Sequence, residues 1–134
     1  MNKENRFVAY NANPKNKKVA DCVVRALSKA TGKDWYEVYD ELCSIARKIC
    51  CMPNEKKAYE KFLNQYGFWK FGYGKIEKGM KRDTIGEFGR KHPNGTYICI
   101  LANHLTTVVD GIWYDLESWR KWGNTSVYSY WKKI

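Results

Sequence analysis

The chain has 134 residues, which is enough for one domain and too short for two of ordinary size. Its 44% hydrophobic and 16% aromatic residues exclude a disordered protein, and no apolar run approaches the ~20 residues that a membrane-spanning helix needs. The formal net charge of +10 predicts attraction to an acidic partner. We therefore predict a single domain over residues 1–134 with no membrane partner.

The cysteines and the first residues favour a cytoplasmic protein. The number of cysteines is odd, and two of them, Cys50 and Cys51, are adjacent, which is more typical of a reducing compartment than of a disulfide framework. The opening MNKENRFVAYNAN lacks the apolar segment of a secretory signal. No two cysteines have the CxxC spacing of a zinc site, so we predict neither a metal ion nor another cofactor.

The chain begins with a predicted strand and two predicted helices. Residues 6–10 alternate as a strand does, and an Asn/Pro/Lys loop follows them. A helix is predicted from Asp21, a favourable N-cap residue, to Gly32, which ends it. Asp34 has the spacing of a capping box with Glu37 and predicts the start of a second helix.

The middle of the chain predicts a third and a fourth helix. Residues 54–66 carry apolar side chains at helical spacing and stop at a glycine. Residues 68–79 are rich in aromatic side chains and glycine, which indicates an irregular segment or a short strand. Residues 84–90 form a short predicted helix, because Thr84 and Glu87 again have capping-box spacing.

The last third of the chain predicts strands. Asp110 and Gly111 separate two β-rich runs, which is a strong hairpin signal. The predicted strands are residues 96–101, 105–109, 112–116 and 127–131. Helices first and strands afterwards predict an α+β fold, with N-terminal helices packed on a C-terminal antiparallel sheet.

Cys22 has the position of an activated thiol. It follows the predicted N-cap directly, so unpaired backbone N–H groups and the positive end of the helix dipole would stabilise its thiolate. The alternative is that Cys22 is one small buried apolar residue among the five cysteines.

His104 and Asp115 are predicted neighbours if the turn between their strands has two residues. Val109 then pairs with Ile112, and Thr106 pairs with Asp115, which brings Asp115 diagonally beside His104 on the same face. A carboxylate there could orient the imidazole, whose other nitrogen could activate a thiol. A three-residue turn would instead place Asp115 on the opposite face.

These residues resemble the papain-like cysteine peptidases, in which a cysteine starts an early helix and histidine and Asp or Asn follow on late strands. The chain order Cys22, His104, Asp115 matches. Nearly the whole chain is similar to a small group of phage and prophage papain-like proteins, and the spacing from His104 through Gly111 and Trp113 to Asp115 also resembles the transglutaminase core. The resemblance implies a papain-like, phage-encoded hydrolase that cleaves peptide, isopeptide or amide bonds in the host cytoplasm through a Cys-His-Asp triad.

The resemblance also assigns an oxyanion-binding side chain. Papain-like enzymes carry a Gln six residues before the cysteine, and Asn16 has that spacing here. The lysines of the same loop, Lys15, Lys17 and Lys18, are then expected to rim the cleft and bind substrate. The basic block from Lys56 to Arg82 is a candidate for the opposite wall, so we predict an acidic protein or peptide as substrate.

A second function class remains open from the sequence. A small basic protein without a complete catalytic site would serve as a non-catalytic binder of a host factor or of nucleic acid. The six tryptophans could stack on bases, but most of them are expected in the core or in groove walls, so nucleic acid is the less favoured partner.

Overall fold

A computed structural model describes residues 6–73, 79 and 81–134. It has the predicted α+β arrangement, with most helices in the first half of the chain and most strands in the second. The part of the predicted irregular segment that falls on residues 74–78 lies outside the described residues. The elements in chain order are β1 (Phe7–Ala9), α1 (Cys22–Thr31), α2 (Trp35–Ile49), α3 (Lys56–Gln65), β2 (Phe68–Gly72), α4 (Ile85–Lys91), β3 (Thr96–Leu101), β4 (His104–Val109), β5 (Ile112–Asp115), a 3-10 helix (Glu117–Trp122) and β6 (Ser129–Lys133).

Both predicted capping boxes are present. The Asp34 carboxylate accepts the Glu37 backbone N–H at 2.9 Å, and the Glu37 carboxylate accepts the N–H of Asp34. Thr84 and Glu87 make the same reciprocal pair at the start of α4, at 3.1 and 2.9 Å. These signals are local in sequence, so the starts of α2 and α4 were predictable.

The prediction that Asp21 caps α1 was wrong in one detail. Asp21 occupies the N-cap position of α1, but its side chain makes no capping hydrogen bond. Its carboxylate instead accepts hydrogen bonds from Arg25, Trp35 and Asn13. Charge-assisted hydrogen bonds are stronger than those to a neutral backbone donor, so the Arg25 guanidinium is a better partner than the first-turn N–H groups.

The sheet has six strands in the order β1-β5-β4-β3-β6-β2. Every pairing is antiparallel except that of β1 with β5, so the sheet is mixed, whereas we expected it to be antiparallel. In β1, Phe7 lies opposite Trp113 and Ala9 opposite Asp115. A three-residue strand carries no sequence signal for its partner, so only the assembled sheet decides this pairing.

The β4–β5 hairpin has the predicted two-residue turn. Val109 lies opposite Ile112, and Asp110 and Gly111 have φ values of 49° and 80°. Positive φ at both central residues defines the turn type whose twist suits a tight hairpin. The Asp110 carboxylate also accepts the Gly95 backbone N–H at 2.9 Å, which ties the turn to the start of β3.

The last strand begins two residues later than predicted. We expected residues 127–131, but β6 spans Ser129–Lys133. The strand lies between β3 and β2, and its pairing with β2 extends it to Lys133, opposite Phe68. Val127 is buried outside the strand, where its N–H donates to the carbonyl of Asp83. Pairing on both sides therefore sets the ends of β6.

The sheet separates two apolar clusters, and β3 contributes to both. Its alternate residues Ile98 and Ile100 pack with α1, α2 and α3, while Tyr97 and Leu101 pack with α4 and β5. This alternation is the ordinary consequence of a strand covered on both faces. Within residues 6–73, 79 and 81–134, no helix combines the length and the apolar character that crossing a membrane requires.

Candidate active site

Cys22 is the first residue of α1. Its backbone N–H belongs to the first helical turn and has no acceptor within the helix. The thiol is half-buried against the apolar cluster under α1. Cys22 and His104 line the same cavity. The helix start therefore places a thiol and an unpaired N–H donor at the same point of the surface.

His104 and Asp115 are in direct contact, as the hairpin register predicts. The imidazole Nε2 of His104 donates to Oδ2 of Asp115 at 2.6 Å, and both side chains are buried. This bond uses Nε2, so Nδ1 is the ring nitrogen left for Cys22. The carboxylate thereby determines both the tautomer and the orientation of the ring.

Cys22 and His104 have pKa values that are shifted toward each other. Burial disfavours the Cys22 thiolate, but hydrogen bonds from His104 and from the Leu105 backbone N–H outweigh it and lower the pKa of the thiol. Burial also disfavours the His104 imidazolium, but hydrogen bonds to Asp115 and Cys22 raise its pKa above the ordinary value. Both directions favour transfer of the thiol proton to the imidazole.

Arg25 connects the pair to a buried network of charges. Its guanidinium donates through Nε to Asp21 at 2.8 Å and through Nη1 to Oδ1 of Asp115 at 3.2 Å. All three side chains are buried. Oδ1 of Asp115 also accepts the backbone N–H of Leu116, so its two oxygens have separate partners. The carboxylate cannot rotate without losing one of these bonds.

Trp119 covers the imidazole. Its ring stacks on that of His104 with centroids 3.8 Å apart and planes 11° apart. Trp119 belongs to the 3-10 helix that directly follows β5, so the strand that carries Asp115 also positions the covering ring. A stacked aromatic ring excludes water from the His104–Asp115 bond, which strengthens that bond.

A cavity of about 310 Å³ opens beside Cys22 and His104. Its floor is apolar, with Leu101 and Leu105 from the sheet. A second, more apolar groove with a volume of about 250 Å³ runs past Trp35, Tyr39 and Met52. The two spaces share three wall residues, Ala20, Val23 and Asn54. The two spaces therefore adjoin each other.

Asn16 lies away from this cavity. It has a left-handed backbone with φ 53°, accepts a hydrogen bond from the Asn11 amide, and lines a separate cleft with Tyr10 and Lys18. The side-chain amides that line the Cys22 cavity are those of Asn54 and Asn103. The six-residue spacing does not bring Asn16 to Cys22, because Asn13 holds the turn before it: the Asn13 carbonyl accepts the Asn16 N–H, and the Asn13 amide donates to Asp21.

The predicted rim lysines also lie elsewhere. Lys15, Lys17 and Lys18 are exposed, and none of them is among the residues that line the Cys22 cavity. The lysine that lines it is Lys56, the first residue of α3 and of the second basic block. Among the described residues, no group of three or more His, Cys, Asp and Glu side chains is arranged to hold a metal ion.

Sequence reasoning missed three contributors to this site. Arg25 follows Asp21 at the spacing of a helical ion pair, which is a local signal, but its contact with Asp115 spans 90 residues. Asn103 directly precedes His104 and has a left-handed backbone with φ 53°, a conformation that asparagine tolerates. Trp119 had no signal, because most of the six tryptophans were expected to be core or groove walls.

The chain was also compared with known proteins by family models, curated sequences and solved structures. No match was found in any of the three comparisons. The geometry of Cys22, His104 and Asp115 therefore carries the functional argument by itself.

Proposed function

We propose that the protein is a cysteine hydrolase that cleaves an amide bond by acyl transfer through Cys22, in the manner of papain-like peptidases. The observation that carries the proposal is the buried His104–Asp115 hydrogen bond, together with the positions of Cys22 and His104 in the lining of the same open cavity. A nucleophile, a base within hydrogen-bond reach and a group that orients the base are the elements of a catalytic triad.

The first half of the reaction forms a thioester. The Cys22 thiolate attacks the carbonyl carbon of the substrate, and the carbonyl oxygen becomes an oxyanion. The Cys22 backbone N–H at the start of α1 donates to that oxyanion, and Asn54 and Asn103 supply the amide side chains nearest to it. The His104 imidazolium gives its proton to the leaving nitrogen, and the C–N bond breaks.

The second half hydrolyses the thioester. Neutral His104 takes a proton from water, the hydroxide attacks the thioester carbon, and the C–S bond breaks with release of a carboxylic acid. Asp115 keeps the ring oriented and stabilises the imidazolium in both halves. The net charge of +10 supports an acidic protein or peptide as the substrate, and the apolar groove adjoining the cavity could receive a neighbouring part of it.

Alkylation of the five cysteines by iodoacetamide, mapped by mass spectrometry, tests the proposal. We expect Cys22 to react first at pH 6, where an ordinary thiol is protonated, because its pKa is lowered. In His104→Ala the rate at Cys22 should fall about tenfold for each unit by which the thiol pKa rises. His92→Ala, at the other histidine, should leave the rate unchanged.

Turnover is measured separately with a peptide library rich in Asp and Glu. Cleavage products should appear with the unmodified protein and be absent with Cys22→Ser. A folded protein whose Cys22 reacts no faster than the exposed Cys50, and which cleaves nothing, would instead be a non-catalytic binder.

A further inference from the structure

The cavity beside Cys22 is positively charged on one side. Cys22 and His104 form one wall, and Asn54, Lys56 and Tyr59 at the start of α3 form another. No acidic side chain is among the lining residues. The N-cap of α3 is Glu55, which makes no capping hydrogen bond and whose carboxylate turns to the backbone N–H of Met52.

The charge of Lys56 is not neutralised within the described part of the chain. Lys56 forms no salt bridge there, because Glu60, one helical turn away, pairs with Lys70 at 3.8 Å. The Lys56 ammonium, which lines the cavity, would be stabilised there by an anion.

We propose that this cavity binds a carboxylate of the substrate against Lys56, so that the enzyme prefers an acidic side chain next to the bond it cleaves. The apolar walls Ile100 and Leu101 contact the methylene stem of such a side chain, and the Lys56 ammonium pairs with its carboxylate. This inference rests on the proposed function and assigns a substrate class to the same site.

Two alkylating reagents of nearly equal size test the charge preference. Iodoacetamide is neutral and iodoacetate carries a carboxylate, and each forms a bond from the cysteine sulfur to carbon while iodide leaves. The measured quantity is the iodoacetate rate divided by the iodoacetamide rate. We expect this ratio to be higher at Cys22 than at the exposed Cys50, and to decrease as salt is added.

Lys56→Gln isolates the contribution of the lysine. It should lower the ratio at Cys22 about threefold to fivefold, the size of a partly exposed ion pair, and the ratio cancels any change in the general reactivity of the thiol. Lys57→Gln is the matched control, since it removes the same charge one residue along α3 from a side chain that does not line the cavity. An equal ratio in the two variants, with Cys22 still reactive, overturns the carboxylate site and leaves the proposed hydrolase intact. If Cys22 of the unmodified protein reacts with neither reagent, the proposed hydrolase function is itself contradicted.

Protection from iodoacetamide distinguishes a side-chain carboxylate from one at the end of a chain. N-acetylglutamic acid α-amide and N-acetylglutamine are isomers that carry the carboxylate on the side chain and on the chain end, respectively. We expect the first to slow alkylation of Cys22 more strongly, and the difference to disappear in Lys56→Gln. Equal protection, or stronger protection by N-acetylglutamine, contradicts the assignment to an acidic side chain.

Discussion

Asp115 binds two basic side chains with different oxygens of one carboxylate. Oδ2 accepts from His104 at 2.6 Å, and Oδ1 accepts from Arg25 at 3.2 Å. Burial disfavours its charge, but the hydrogen bonds from His104, Thr106 and the Leu116 N–H lower its pKa, so the group stays ionised. A buried carboxylate with this set of partners is a positioning group for the imidazole.

Arg25 is therefore expected to act as a positioning residue. Arg25→Ala should lower the free energy of unfolding by about 3–5 kcal/mol, because it leaves two buried carboxylates without their cation. Arg25→Lys keeps the charge. A single ammonium, however, does not reproduce the two hydrogen bonds that the guanidinium donates to Asp21 and to Asp115. In Arg25→Lys we expect the midpoint of Cys22 alkylation against pH to move upward, because Asp115 loses a fixed hydrogen-bond partner and orients the His104 imidazole less firmly.

The pH profile separates this role from a purely structural one. The control is Arg47→Lys, a substitution at an exposed arginine of α2. Arg47→Lys should leave the alkylation midpoint unchanged. If Arg25→Lys alters only the urea midpoint and has the alkylation profile of the unmodified protein, Arg25 stabilises the fold without orienting the site.

At the scale of elements, the turn between β4 and β5 packs closely on α4. A Cβ at Gly111 would lie 3.0 Å from the carbonyl oxygen of Gly89 and 3.1 Å from the Arg6 guanidinium. Gly111 also has φ 80°, a conformation that costs other residues free energy. The turn sets the register that brings Asp115 beside His104, so this backbone contact supports the site from a distance.

Gly111→Ala and Gly32→Ala form a matched pair. Both glycines have positive φ, but a Cβ at Gly32 would meet nothing within 4 Å. We expect Gly32→Ala to lower the free energy of unfolding by about 1–2 kcal/mol and Gly111→Ala to lower it further, as measured by urea denaturation. Only Gly111→Ala should slow alkylation of Cys22. Equal losses of stability with unchanged alkylation would show that the turn does not support the site.

At the scale of the whole molecule, the buried charges make stability depend on pH. Burial disfavours the charge of Asp21 as it does that of Asp115, but hydrogen bonds from Arg25, Trp35 and Asn13 lower the pKa of Asp21. Both carboxyls therefore have a folded-state pKa below that of the unfolded chain. Their stabilisation is present above the unfolded value of about 3.9 and is lost as the pH falls through the folded values.

The urea midpoint should accordingly decrease steeply between about pH 4 and pH 2. In Arg25→Gln the urea midpoint should decrease less steeply over this pH range, because Asp21 loses the cation that lowers its pKa and Asp115 loses one of its two cationic partners. Arg47→Gln removes a positive charge from the surface of α2 and should leave the pH dependence of the urea midpoint unchanged. If the urea midpoint decreases equally steeply with falling pH in both variants, the Arg25 network does not have this stabilising role.

The sequence by itself determined the features that depend on neighbours along the chain. Capping boxes identified the starts of α2 and α4, and a two-residue turn at Asp110-Gly111, one of two turn lengths left open, predicted Asp115 beside His104, only 11 residues away. Such signals are readable because turn and cap geometry involve a few consecutive residues. The position of Cys22 at a helix start also followed from local pattern.

Only the tertiary structure decided which distant groups meet. The contact of Arg25 with Asp115 spans 90 residues, and the opening of the cavity beside Lys56 depends on how α3 packs against the sheet. Asn16 had the expected spacing from Cys22 yet lies in another cleft, because loop hydrogen bonds through Asn13 set its direction. Spacing along a chain specifies direction in a helix, a strand or a tight turn, whereas in a loop the contacts with the rest of the molecule specify it.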